Sequence, residues 1–171
     1  WTSTGFNDAA WSSGTGQLGY GDGDESTIVS YGGNAANKYM TTYFRKNITI
    51  GSTSSYLDYT MSVKRDDGII VYIDGTEVYR NNIAAGAFSY LTLAANATDD
   101  GNTPQSVTLS LTQLPTGNHT IAVEIHQNTI NSSDITFDLE LVANESTVVA
   151  FGGAWKYLDS GTDQGTGWRA S

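Results

Sequence analysis

Two short segments of this chain gather hard oxygen donors at spacings that suit a divalent cation. Gly21-Asp22-Gly23-Asp24-Glu25 sets three carboxylates in a glycine-loosened turn. Oxygen ligands close in sequence suit calcium, whereas zinc favours imidazole or thiolate. The spacing matches the opening of a calcium loop without completing its twelve-residue pattern, so a solvated acidic turn is the competing reading. Asp66-Asp67-Gly68 is the second segment. Adjacent acids at a strand end repel unless a cation, an arginine or amide groups compensate them, and Lys64 and Arg65 stand beside them as a simpler remedy than a metal. One ion shared by both segments would neutralise the acids and cross-link two distant parts of the chain. Calcium is the cofactor these residues suggest, with Asp22, Asp24, Glu25, Asp66 and Asp67 as its ligands.

A second set of residues suits sugar. Glu124 and His126 are two apart on one predicted strand face, and Asp134 follows just beyond an Asn-rich loop. Such a trio reaches sugar hydroxyls or a metal, or else forms a buried hydrogen-bonded network. Tyr20, Tyr31, Tyr39 and Tyr43 lie near loops, where a phenol ring stacks on the C–H face of a pyranose. Tyr20, Tyr39, Tyr43, Glu124, His126 and Asp134 are therefore the candidate glycan contacts. His119 has no catalytic partner by spacing, and Asp159 and Asp163 read as a polar turn. The chain has no nucleophile elbow, HExxH, CxxC or phosphate-cradling glycine loop. Glycoside hydrolysis needs two carboxylates at a defined separation in a cleft, which a linear pattern does not supply. No catalytic residue is assigned, and an enzyme is not expected.

The chain as a whole points the same way. With 171 residues, one domain spanning 1–171 with a sizeable core is expected. Eighteen acidic against eight scattered basic residues give a net charge of −10, which argues against nucleic acid and anionic membranes as partners. No apolar run is long enough to insert in a bilayer. Cysteine is absent, so extra rigidity must come from packing or a hard cation. Abundant Ser, Thr, Asn, Gly and Tyr with few Lys, Arg and Glu suit a secreted or cell-surface protein. Asn47, Asn96, Asn118, Asn131 and Asn144 fit the N-glycosylation acceptor pattern, although a chain so rich in Asn and Thr produces chance matches.

Strands must position these groups. No window keeps a helical apolar stripe, while period-two alternation recurs over residues 40–50, 56–63, 69–73, 77–79, 107–111, 120–126 and 135–142, then at 148–151 and 155–158. Phe44, Ile48 and Ile50 share the core side of the first, and Asp74-Gly75 marks a tight hairpin. So many short strands separated by Gly and Asn loops predict an all-β, two-sheet antiparallel β-sandwich, since neither sheet buries its apolar face alone. Residues 1–38 read as a long irregular N-terminal segment pinned by aromatics, with one helical turn at Phe6-Asn7-Asp8-Ala9-Ala10-Trp11.

Gly19-Tyr20-Gly21-Asp22-Gly23-Asp24-Glu25, the run from Lys38 to Lys46, Arg65-Asp66-Asp67-Gly68 with Tyr72-Ile73-Asp74-Gly75, and Ala122-Val123-Glu124-Ile125-His126-Gln127 together resemble a family of bacterial secreted β-sandwich modules. These modules are appended to large surface proteins, phosphoesterase-like proteins and polysaccharide-degrading enzymes, and the resemblance covers nearly the whole chain. It implies a noncatalytic, galactose-binding-like jelly roll. The double-acid strand motif is also similar to that of PA14 modules, which implies calcium, and in some members sugar, at Asp66 and Asp67.

The ends depart from the family order. Family members begin with a segment like Trp155-Lys156-Tyr157-Leu158-Asp159 and run into one like Phe6-Asn7-Asp8-Ala9-Ala10-Trp11, whereas here the opening segment comes last. Residues 152–171 are thus expected to match the start of a following repeat, packing within the chain or into a neighbour. Trp1, Trp11, Trp155, Tyr157 and Trp168 are the candidate assembly residues. The expected function is a noncatalytic extracellular structural repeat or fibre subunit. Its partners would be identical or similar units joined head to tail. The alternative is a carbohydrate-binding module with a polysaccharide partner.

Overall fold

Alternation at period two makes the strands, and Gly, Asn and Asp end them. The computed structural model describes residues 1–145. The strands are β1 (Leu18–Tyr20), β2 (Thr27–Ile28), β3 (Thr41–Ile50), β4 (Tyr56–Asp66), β5 (Gly68–Ile73), β6 (Thr76–Asn81), β7 (Gln105–Ser110), β8 (Gly117–His126) and β9 (Ile135–Glu145). One sheet runs β2-β1-β9-β4-β7 and the other β3-β8-β5-β6. Every pairing is antiparallel except that of β1 with the short β2. From β3 onward the chain crosses between sheets at each connection but the β5–β6 hairpin, and the resulting nested order is that of a jelly roll. Asp74 and Gly75 close that hairpin at φ of 50° and 88°, as an Asp-Gly pair should.

The main core lies between the sheets. Tyr59, Met61 and Val63 of β4 face Ile69, Val71 and Ile73 of β5, with Ile121, Val123 and Ile125 of β8 and Ile135 and Phe137 of β9. Phe44, Ile48 and Ile50 pack against this core on the side that alternation assigns them, and Phe44 stacks on Phe137 with ring centroids 4.4 Å apart. Burial of β5 extends to both its faces. Ile70, Tyr72, Ile83 and Ala122 form a second cluster covered by Trp1, Phe88 and Ala94. The outer face of the four-stranded sheet is therefore roofed by the N-terminal segment and by the long β6–β7 connection.

Trp1 is seated edge-on to Tyr43 at 4.7 Å and to Tyr72 at 5.7 Å. Arg45 of β3 donates to the carbonyls of Trp1 and Ser3 and to the Asp8 carboxylate, which fastens the segment to the sheet. The helical turn expected at residues 6–11 is replaced by an Asn turn, in which Asn7 Oδ1 accepts from the Ala9 amide at 3.0 Å and the Trp11 amide reaches the Asp8 carbonyl at 2.8 Å. With Gly5 before it and Ser12-Ser13-Gly14 after it, there is nothing to propagate a helix. Trp11 rests against Phe6 and stays exposed. The predicted strands at 148–151 and 155–158, the unit 152–171, and Trp155, Tyr157 and Trp168 lie outside the described residues.

Candidate metal centre

Four loops meet at the end of the sandwich where β4 stops and β9 starts. Register brings the first parts together: Asp66 lies opposite Thr136, and Tyr20 opposite Ile135. Two glycines permit the rest. Gly21 has φ of +114°, and a Cβ there would stand 2.5 Å from Asp134 Cβ; Gly101 has φ of +65°, with Thr136 Cβ 2.9 Å from where its own Cβ would be. No larger residue lets the β1–β2 turn and the β6–β7 connection close on β9 in this way. Thr136 Oγ1 donates to Asp22 Oδ2 at 2.8 Å, turning a rim carboxylate inward.

Carboxylate oxygens of Asp22, Asp100 and Asp134 then lie within 4.8 Å of one another. Asp66 and Asp67, 3% and 2% exposed, are buried beside this trio, whose charges reach Asp66. Burial, followed by the charges of Asp67, Asp134, Asp100 and Asp22, pushes the Asp66 carboxyl up to about 8. Asp22 is pushed up to about 6 by burial and by Asp134 and Asp100, against the opposing Thr136 hydrogen bond. Burial also raises Asp67, although the Ala97 and Asn128 amides, at 3.1 and 2.7 Å, hold it back. None of these five acids has an ion pair among the described residues. Acids so close together repel unless a proton or a cation lies among them.

Arg65 does not neutralise them. Its guanidinium is spent on Asp99 at 2.8 Å and Asn81 at 2.7 Å. Lys38 donates instead to the carbonyls of Ser132 and Ser133 and sits over the rings of Tyr20 and Tyr31. The Tyr20 hydroxyl is buried without a hydrogen-bond partner. Burial and then the charges of Asp134, Asp66 and Asp67 push it up to about 12. An orphaned hydroxyl among hard oxygen donors, with no imidazole or thiolate in the group, fits calcium.

The structure divides the sequence candidates. It brings Asp22 and Asp134 together, sets Asp66 and Asp67 beside them, and gives Asp134 a place among the acids where sequence suggested a sugar contact. Asp24 and Glu25 form a separate group around Asp22. Glu25 caps its own turn, accepting the Asp22 and Gly23 amides at 2.9 and 3.0 Å, and these bonds hold its carboxyl below the ordinary range; Asp24 accepts from Gln17 at 2.9 Å. Asp100 escaped the sequence reading. Its signal is Asp99-Asp100-Gly101, a second copy of the Asp-Asp-Gly tripeptide at residues 66–68.

Glu124 and His126, 4% and 0% exposed, are removed from any glycan by the roof over their sheet face. The expected sugar contact gives way to the internal network: Tyr72 donates to Glu124 at 2.6 Å, His126 Nδ1 faces the Thr92 carbonyl at 2.8 Å, and its Nε2 lies 3.1 Å from Glu124 Oε2. Tyr43 lies beneath Trp1, and Tyr20 is buried. Tyr39 is 60% exposed, and Tyr31, 38% exposed, meets the Tyr20 ring edge-on at 5.2 Å. Of the sequons, Asn47, Asn96, Asn118 and Asn131 are exposed, while Asn144 is half-buried and its Nδ2 donates to Asp58 and Thr60.

The fold and this end of it define a jelly-roll β-sandwich with an acid-lined loop cluster. No protein-family model and no curated protein matches the chain. Two solved structures are similar to it. The α-L-rhamnosidase of Streptomyces avermitilis, complexed with L-rhamnose, shares 19% identity over 67% of this chain and 10% of its own, with a TM-score of 0.46. The native α-L-rhamnosidase of Aspergillus terreus shares 15% identity over 64% of this chain and 13% of its own, with a TM-score of 0.42. The chain thus spans only about a tenth of the length of these enzymes. Among the described residues no helix is long and apolar enough to cross a membrane.

Proposed function

We propose that this chain is a noncatalytic, calcium-dependent glycan-binding module of a secreted or cell-surface protein. One observation carries the reading: carboxylates of Asp22, Asp100 and Asp134 converge from three loops to within 4.8 Å of one another, beside the buried Asp66 and Asp67 of a fourth. Asp22, Asp100 and Asp134 would hold the ion with the Asp66 charge beside them, and Asp67 braces the two loops whose amides it accepts. A bound calcium supplies coordination positions that vicinal sugar hydroxyls can occupy. Asp22 and Asp100 lie on the solvent side, and the exposed Tyr31 ring at the rim offers a face for stacking.

A glycan array probed with calcium and again with chelator is the test. Binding should vanish with chelator and in Asp134→Asn, and Tyr31→Ala should weaken it at least tenfold, about 1.4 kcal/mol. Arrays that stay blank while calorimetry registers bound calcium would reject the glycan role and leave the ion.

A structural repeat joined head to tail is the second reading. Its support is the socket of Tyr43 and Tyr72 around Trp1, the residue that Trp168 matches. Deleting residues 152–171 should then abolish head-to-tail assembly, and assembly that survives the deletion would end this reading.

A further inference from the structure

Three exposed tyrosines succeed one another on the loops beside the acids. Tyr31 meets the buried Tyr20 ring edge-on, and the Tyr39 amide donates to the Tyr31 carbonyl at 3.0 Å, which sets those two residues side by side. Thr41, at the start of β3, donates its hydroxyl to the Tyr90 carbonyl at 2.8 Å and fastens the turn of residues 89–92 next to them. That turn is closed by the Thr92 amide on the Ser89 carbonyl and by the Ser89 amide on the Thr92 hydroxyl, both at 2.8 Å. Tyr39 and Tyr90 are 60% and 63% exposed. These loops lie at the Asp66 end of β4, whereas the chain leaves β9 at the Tyr56 end. Tyr39 is built as a platform. Its Cε1, Cζ and Cε2 lie 3.2, 3.2 and 3.5 Å from where a Cβ of Gly32 would stand, nearer than its hydroxyl oxygen, so the glycine meets a face of the ring and not its tip. One face is thus backed by the Gly32 backbone, at φ of +96°, and the other is left to solvent.

We propose that Tyr39 and Tyr90 extend the glycan site into an open platform for the interior of a neutral, unbranched polysaccharide, with one sugar at the acids beside Tyr31 and its neighbours stacked on these two rings. This rests on the glycan reading and gives its ligand a length and a charge. A flat phenol face with a polar tip matches a pyranose, whose C–H face packs on the ring while its hydroxyls stay in water. Rings on open loops stop neither end of a passing chain, whereas a terminal sugar calls for a closed pocket. Charge sets the other limit. Asp22, Asp100 and Asp134 gather here, and the Lys38 ammonium is already engaged by the carbonyls of Ser132 and Ser133. One calcium does not balance three carboxylates with Asp66 and Asp67 beside them, so uronic acids and sulfated sugars are repelled.

Native gels cast with soluble polysaccharide and run with the full chain in calcium test it. Unbranched glucan, mannan, xylan and galactan are the neutral probes, and hyaluronate is the anionic one. At least one neutral gel should retard the protein, and the hyaluronate gel should not. Calorimetry with oligosaccharides of the retarding polymer, from disaccharide to hexasaccharide, should show affinity rising about a hundredfold along the series. Tyr39→Ala and Tyr90→Ala should each weaken hexasaccharide binding about tenfold and leave disaccharide binding unchanged. Tyr39→Phe keeps the ring face and should bind as the parent does. Calcium-dependent binding that is as tight for the disaccharide as for the hexasaccharide leaves the glycan reading standing and overturns the platform, a result that needs no variant. Retardation by hyaluronate alone, or by no gel, overturns it too, and the glycan arrays then decide the broader reading separately. A dimer in sedimentation that Tyr90→Ala dissolves would assign these rings to a second copy of the chain and end the proposal.

Discussion

Calcium added to the metal-stripped protein is expected to raise its melting temperature and to offset the loss of stability with rising pH. At a hundredfold excess over its dissociation constant, an ion bound only by the folded state contributes about 2.7 kcal/mol, roughly 5–10 °C for a chain of this size. The pH effect follows from Asp66 at about 8 and Asp22 at about 6 in the ion-free fold, both above the ordinary 3.8. Between about pH 5 and 8 the native state keeps protons that the unfolded chain has released, so ion-free stability falls as pH rises. His119 adds the same sign. Burial opposes its proton, but the hydrogen bonds to Asp74 and the Pro115 carbonyl prevail and raise it, so its contribution is also lost on the alkaline side. Calcium competes with the protons on these acids, binds more tightly as pH rises, and offsets the decline. Calorimetric melts with calcium and with chelator across that range decide the matter. Identical melts, or ion-free stability that climbs with pH, would remove the metal centre.

Replacing Arg65 by Met is expected to cost about 2–3 kcal/mol, since it removes the buried partner of a half-buried acid together with the hydrogen bond to Asn81. Arg65 is 5% exposed and ties β4 to Asn81 of β6 and to Asp99 of the β6–β7 connection. Burial works to raise the Asp99 carboxyl, and the hydrogen bond and charge of Arg65 outweigh it and hold the group below the ordinary range. Its second oxygen is already buried without a partner, so the loss of Arg65 leaves the carboxylate with backbone amides alone and no opposite charge. Arg65→Met combined with Asp99→Asn should recover more than half of the loss, because the stranded charge is gone. Urea midpoints of the two single variants and the double variant measure this. A loss below about 1 kcal/mol in Arg65→Met, or no recovery in the double variant, would show that the pair is not what holds this connection. Asp100 follows Asp99 in the chain, so Arg65→Met should also weaken calcium binding.

Sequence and structure agree where short-range alternation governs. Residues 135–142 read as a strand with Ile135, Phe137, Leu139 and Leu141 inward, and β9 buries or half-buries that set. Asp74-Gly75 was legible because only residues that tolerate positive φ make that hairpin. Glu124 and His126 were legible as a face of β8 but not as buried, since their cover comes from Trp1 and from the β6–β7 connection, both remote in sequence. Asp22 and Asp66 stood out as acids in suspicious company. Their meeting with Asp100 and Asp134 depends on how Gly21 and Gly101 let loops approach β9, a contact between segments that no local pattern encodes.

By itself the sequence determined an all-β chain with its strand faces, its tight hairpin and its acid-rich loops, because these follow from side-chain period and local backbone preference. Tertiary structure alone decided the jelly-roll nesting of this chain, the roof over one sheet and the gathering of acids from four loops at one end of the sandwich. Those depend on which distant segments pack together. That choice is made by the burial of whole apolar faces, and charge follows wherever the packing carries it.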